Sequence, residues 1–157
     1  MSLEKKIESI KKIINDNADI DGDFWHYEGD ELIYQILDTF NENEWRDFIQ
    51  ELNNFTDDER YQFCCTLLNY DTNRIIKIVD IYEIFFTQYL LLPLEDAYWI
   101  LQDIMYVENI REPNLDLLKK LRQKMQTLRN CDIAHWEEDT FLWAENIIDK
   151  VIEKYHS

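Results

Sequence analysis

Turn-forming residues are scarce: 157 residues include only two glycines and two prolines. An all-β chain needs such residues at its many turns, so this scarcity argues against a sheet fold. It also leaves no material for a glycine-rich phosphate loop. Cysteine is nearly as rare. Cys64 and Cys65 are adjacent and Cys131 stands alone, an odd number at spacings that make no disulfide framework and that suit a reducing compartment. Long apolar runs are missing too: residues 84–94 are too few to span a bilayer, and they include Gln88 and Pro93. Residues 1–6 lead straight into an amphipathic pattern, without the apolar run of a signal peptide. Together these absences predict a cytoplasmic protein with no membrane association.

What the chain does have is apolar and acidic. Hydrophobic residues make up 46 % and aromatics 14 %, too rich for disorder. The length suits one domain over residues 1–157. Its apolar period is helical almost throughout. Leu3, Ile7, Ile10 and Ile14 form a first stripe over 3–15. Residues 16–29 read as an irregular acidic loop. Asp30 then caps a helix with Leu32, Ile33, Ile36, Leu37 and Phe40 inward. Asn41 or Asn43 opens a third, carrying Trp45, Phe48, Ile49 and Leu52. Thr56-Asp57-Asp58-Glu59 is a capping box opening a fourth helix, to about Asn69. A fifth, from Asp71 or Thr72 to Leu92, is apolar on most sides and is expected to be the most buried. Further helices are expected over 94–108, 114–129 and 137–155. The predicted fold is all-α with about eight helices, arranged as stacked antiparallel hairpins of HEAT or armadillo type or as a compact bundle. Residues 33–40 echo residues 75–82 at an offset of 42, near the HEAT repeat length of about 40–47.

Charge is distributed unevenly. Residues 15–60 hold fifteen acidic side chains against Arg46 and Arg60, a net of −13 within the chain's −17. Residues 1–14 set four lysines against Glu4 and Glu8, a net of +2, and residues 111–135 set six cations against three acids, a net of +3. A focused acidic field repels nucleic acid and anionic membrane and speeds encounter with a basic macromolecule. The alternative is a solvated face that serves solubility.

Residues 17–28 follow the spacing of an EF-hand calcium loop. Asn17, Asp19 and Asp21 stand at positions 1, 3 and 5, Gly22 at 6 and Glu28 at 12. Asn at position 1 removes a ligand charge, and Gly29-Asp30 falls where the exiting helix should run. The competing reading is a surface loop, and no metal or other cofactor is expected. Catalytic patterns are weak. His135-Trp136-Glu137-Glu138-Asp139 lacks the paired-histidine spacing of a zinc protease and reads as a helix start with acids against the dipole. His26 and His156 stand apart from any motif, and Cys64 and Cys65 sit in an apolar helix. No reaction class can be assembled, so an enzyme is not expected. Residues 119–124 are basic, but Leu115, Leu118, Leu121, Met125 and Leu128 make them the solvated face of an ordinary amphipathic helix.

Trp25 and Tyr27 lie off any periodic face, among carboxylates. They read either as interface anchors, since interfaces favour Trp and Tyr, or, in the case of Phe24 or Trp25, as a plug over the helical core. Small size, acidity, helical hairpins and abundant Trp and Tyr give the whole chain the character of an inhibitor. It resembles the helical immunity proteins that bacteria encode beside polymorphic or contact-dependent growth inhibition toxins. That resemblance implies binding to a toxin's effector domain, often a basic nuclease, and blocking of its active site. Asp16, Asp19, Asp21, Asp23, Glu28, Asp30, Glu31, Glu42 and Glu44 would then supply steering and pairing, and Trp25 and Tyr27 buried contact. A HEAT-like adaptor, recognisable by an exposed apolar patch, and a calcium-binding protein are the alternatives. The oligomeric state cannot be read from the sequence.

Overall fold

The computed structural model describes residues 1–19, 25–70, 79–131 and 138–156; the described residues contain helices and no strand, so the fold is all-α. Contacts group the chain into two compact units, Met1–Ile81 and Tyr82–Ser157.

The first unit contains α1 (Leu3–Asp16), a π-helical turn (Trp25–Gly29), α2 (Asp30–Leu37), α3 (Glu42–Glu51), a short 3₁₀ turn (Leu52–Asn54) and α4 (Asp57–Leu68). Ser2 caps α1, and Ile7, Ile10 and Ile14 form its buried stripe. Asn41, not Asn43, caps α3, through a capping box with Glu44. The box at α4 forms as the sequence indicates: Glu59 N donates to Thr56 Oγ1 at 3.2 Å, and Thr56 N donates to Glu59 Oε1 at 2.9 Å. Burial alone would raise the Glu59 carboxyl. Bonds from the Thr56 amide and the Asn15 side chain, with the charge of Lys11, outweigh that and hold it below its usual range. The core is aromatic. Phe48 meets Phe40 at 5.2 Å, Phe55 at 6.1 Å and Phe63 at 5.5 Å between centroids, each edge to face, the arrangement ring quadrupoles favour. Arg60 is buried beside it, and its Nη2 donates to the carbonyls of Leu52 at 3.0 Å and Phe55 at 3.1 Å, tying the end of α3 to the start of α4.

Residues 25–29, read from sequence as loop, are helical and run directly into α2. The cause is Trp25, whose ring lies over the turn; a Cβ at Gly29 would come within 2.4 Å of Trp25 Cε3, so only glycine permits this packing.

The second unit comprises α5 (Ile81–Leu91), at whose first residue the division falls, α6 (Leu94–Trp99), a nine-residue 3₁₀ helix (Leu101–Asn109), α7 (Leu115–Arg129) and α8 (Glu138–His156). The expected fifth helix is shorter than its pattern. Val79 and Asp80 lie outside it and 71–78 fall outside the described residues. Val79 is β-branched and loses side-chain freedom in a helix, whereas Asp80 is a residue type suited to a helix start. From Ile81 on, α5 is buried as its pattern requires, through Ile84, Phe85, Phe86 and Tyr89. The 42-residue echo is not a structural repeat where it can be followed, because it pairs Leu37 and Asp38, at the end of α2, with the non-helical Val79 and Asp80.

The segment expected as one helix over 94–108 divides at Ile100. Leu101, Ile104 and Val107 repeat every three residues and are all fully buried. A 3₁₀ helix has three residues per turn and keeps that row aligned, whereas an α-helix, at about 100° per residue, would let it drift around the surface. α8 packs against both α7 and this 3₁₀ helix. Arg122–Asp149 at 2.6 Å and Arg129–Glu145 at 3.1 Å join α7 to α8. Lys124 donates to the carbonyls of Leu90 at 3.0 Å and Leu92 at 2.6 Å, closing the C-terminal end of α5, and burial lowers its pKa. Of the four cations in residues 119–124, Arg122 and Lys124 bind to neighbouring helices, Lys120 pairs with Asp116 at 2.9 Å on the exposed face of α7, and Lys119 is exposed.

Candidate partner-binding surface

The acidic residues singled out in the sequence divide once placed. Asp16 pairs with Lys12 at 2.7 Å, and Glu42 lies 3.9 Å from Arg46, both on exposed faces. Asp19, Glu28 and Glu31 are also exposed. Asp30 is buried and accepts from Thr66 Oγ1 at 2.7 Å, holding α2 to α4. Glu44 is occupied twice, by its capping box and by Lys6 Nζ at 2.8 Å; the Lys6 bond holds its carboxyl below the usual range, against the effect of burial. Asp30 and Glu44 are thus structural carboxylates. Asp21 and Asp23 lie outside the described residues, as does the side chain of Tyr27. Trp25 is 9 % exposed, which matches the plug and not an exposed anchor.

Asn17, the first position of the calcium-loop spacing, donates from Nδ2 to Ile13 O at 2.7 Å and closes the last turn of α1, a bond that does not use the Oδ1 a cation would take. Loop positions 4 to 8 lie outside the described residues, and so does His135. Among the described residues, no group of three or more His, Cys, Asp or Glu side chains is placed to hold a metal ion. All three cysteines are free.

A different acidic arrangement emerges between α1 and α3. Glu4 and Glu8 on α1, and Asp47 and Glu51 on α3, are spaced i, i+4 and line a groove of about 470 Å³ together with Leu3, Ile7 and Lys11. Among the described residues none of the four carboxylates makes an ion pair; Glu51 accepts only from the Asn54 amide at 3.2 Å. Lys11, which lines the same groove, has its ammonium 5.0 Å from the centre of the Phe55 ring. Sequence reasoning missed this groove because it summed residues 1–14 to a net cation. In the fold three of the four lysines of α1 take partners: Lys6 pairs with Glu44, Lys12 with Asp16, and Lys11 lies over Phe55. The charged residues of α1 that line the groove are Glu4, Glu8 and Lys11. The available signal was the i, i+4 spacing of both pairs, which places each on one helix face.

The groove can hold cationic side chains, with Leu3 and Ile7 giving apolar contact for their methylene stems. Comparison with protein family models, curated proteins and solved structures finds no significant match to this chain.

Proposed function

We propose that this protein is a cytoplasmic protein-binding inhibitor, an immunity protein that neutralises a basic, nuclease-like toxin domain through the acidic face of its first unit. One observation carries the reading. Two like-charged i, i+4 pairs line one groove, and among the described residues none of their four carboxylates makes an ion pair, an arrangement that costs about 0.2–0.5 kcal/mol per pair. Carboxylates kept at a stability cost are best explained by a partner that neutralises them. Exposed Asp16, Asp19, Glu28, Glu31 and Glu42 extend the field beyond the groove and steer the approach. The net charge of −17 opposes a polyanionic partner. No helix among the described residues is long and apolar enough to cross a membrane, which suits action beside a cytoplasmic target.

The test immobilises the C-terminal domain of the protein encoded by the adjacent gene, where an immunity partner is expected to lie, for association and dissociation kinetics across a salt series. Asp47→Asn with Glu51→Gln should slow association more than it speeds dissociation. The difference should shrink as salt rises, because attraction between exposed charges is screened beyond about 8 Å at physiological ionic strength. Wild-type association rates in the double variant, independent of salt, would reduce the groove to a solubility feature.

A further inference from the structure

We infer that the second unit carries a separate docking trough, between the 3₁₀ helix and α8, for an apolar-faced, basic helix of a partner protein. The trough has a volume of about 460 Å³ and is lined by Gln102, Met105, Asp139, Thr140 and Trp143. The three-residue period of the 3₁₀ helix puts Leu101, Ile104 and Val107 inward and brings Gln102, Met105 and Glu108 into one exposed row. Facing that row, Asp139 and Trp143 lie one turn apart on α8. Met105 is 51 % exposed and Trp143 41 %, and Leu142, three residues beyond Asp139, is 40 % exposed. Each of these side chains would lose free energy to water that burial recovers. An indole beside a flexible thioether can fit varied apolar surfaces, as in interfaces that accept helices.

Charge selects the occupant. Asp139 stands in the trough wall, Glu138 precedes it in the exposed first turn of α8, and Glu108 continues the exposed row. A second copy of this chain, or an anionic membrane, would bring its negative charge against these carboxylates and the overall −17. A helix with leucines on one side and lysines or arginines flanking them satisfies both the apolar floor and the acidic rim. This site shares no residue with the groove of the first unit.

The experiment titrates the intact protein with a synthetic leucine–lysine amphipathic helix of about 18 residues, long enough to be helical when bound. A scrambled peptide of equal composition serves as control. Amide, methyl and indole NMR shifts report the location. Binding should move the Met105 methyl and Trp143 indole signals, and the scrambled peptide should bind at least about ten-fold more weakly. Met105→Ser with Trp143→Ser should weaken binding by a similar factor. Thr140→Arg, which fills the trough without removing an apolar side chain, should do the same even if the first variant melts early. Glu4→Gln, Glu8→Gln, Asp47→Asn and Glu51→Gln together should leave this binding intact, which separates it from the proposed toxin contact. The inference fails if both peptides bind equally, if shifts appear only in the first unit, or if unliganded protein self-associates through Met105 and Trp143.

Discussion

At the scale of single residues, the fold places several charged groups where burial and hydrogen bonding compete. Arg60 is buried and Lys124 half-buried, yet each gives its donors to backbone carbonyls at a helix end. Asp103 is the opposite case. Burial on the 3₁₀ helix raises its carboxyl above the usual value, with no compensating bond behind the shift. An acid whose folded pKa is raised contributes stability only while protonated, so its contribution is present below the unfolded value of 3.8 and is lost as pH rises. Asp103→Asn is therefore expected to melt higher than wild type at pH 7. The advantage should shrink as pH falls towards 3.8, followed by thermal denaturation across that range. An advantage that persists unchanged at low pH would mean that desolvation of the charge is not its source.

At the scale of elements, most of the fold was legible and the failures have physical causes. Amphipathic stripes located α1, α3 and α7, because each buries one face of regular period and is started by a side-chain cap, and the capping box at Thr56 located α4. The π-helical turn at Trp25 was not legible, since it depends on an indole packing against the backbone of Gly29. Nor was the α1–α3 groove, because it requires knowing which helices pack together and which lysines find partners in the tertiary structure. The 3₁₀ helix was misread for another reason. Its row of Leu101, Ile104, Val107 and Ile110 repeats every three residues, a spacing that an α-helical reading also accepts over one turn. Runs of this kind beyond three or four residues are uncommon, so this one is held by the packing of its buried row and not by its own hydrogen bonds. Ile104→Ala should then cost about 2–5 kcal/mol in chemical denaturation, as for a fully buried aliphatic side chain. A cost below about 1 kcal/mol would place the stabilising contacts elsewhere.

At the scale of the whole molecule, a net charge of −17 on 157 residues works against compactness through self-repulsion. Salt weakens that repulsion and the exposed ion pairs alike, but the excess of acid is larger than the exposed pairs can offset. The melting temperature is accordingly expected to rise between low and physiological ionic strength, a trend calorimetry would show directly. A fall would mean that ion pairs such as Arg122–Asp149 outweigh the repulsion. The α1–α3 groove turns the same excess into a competition. Relief of its crowded carboxylates is not reserved for a protein partner, because a small polyamine with amines at helical-turn spacing could pair with Glu4, Glu8, Asp47 and Glu51 as well. If the proposed basic partner docks in this groove, a polyamine would compete with it, and only a surface more densely cationic than the small ion would displace it.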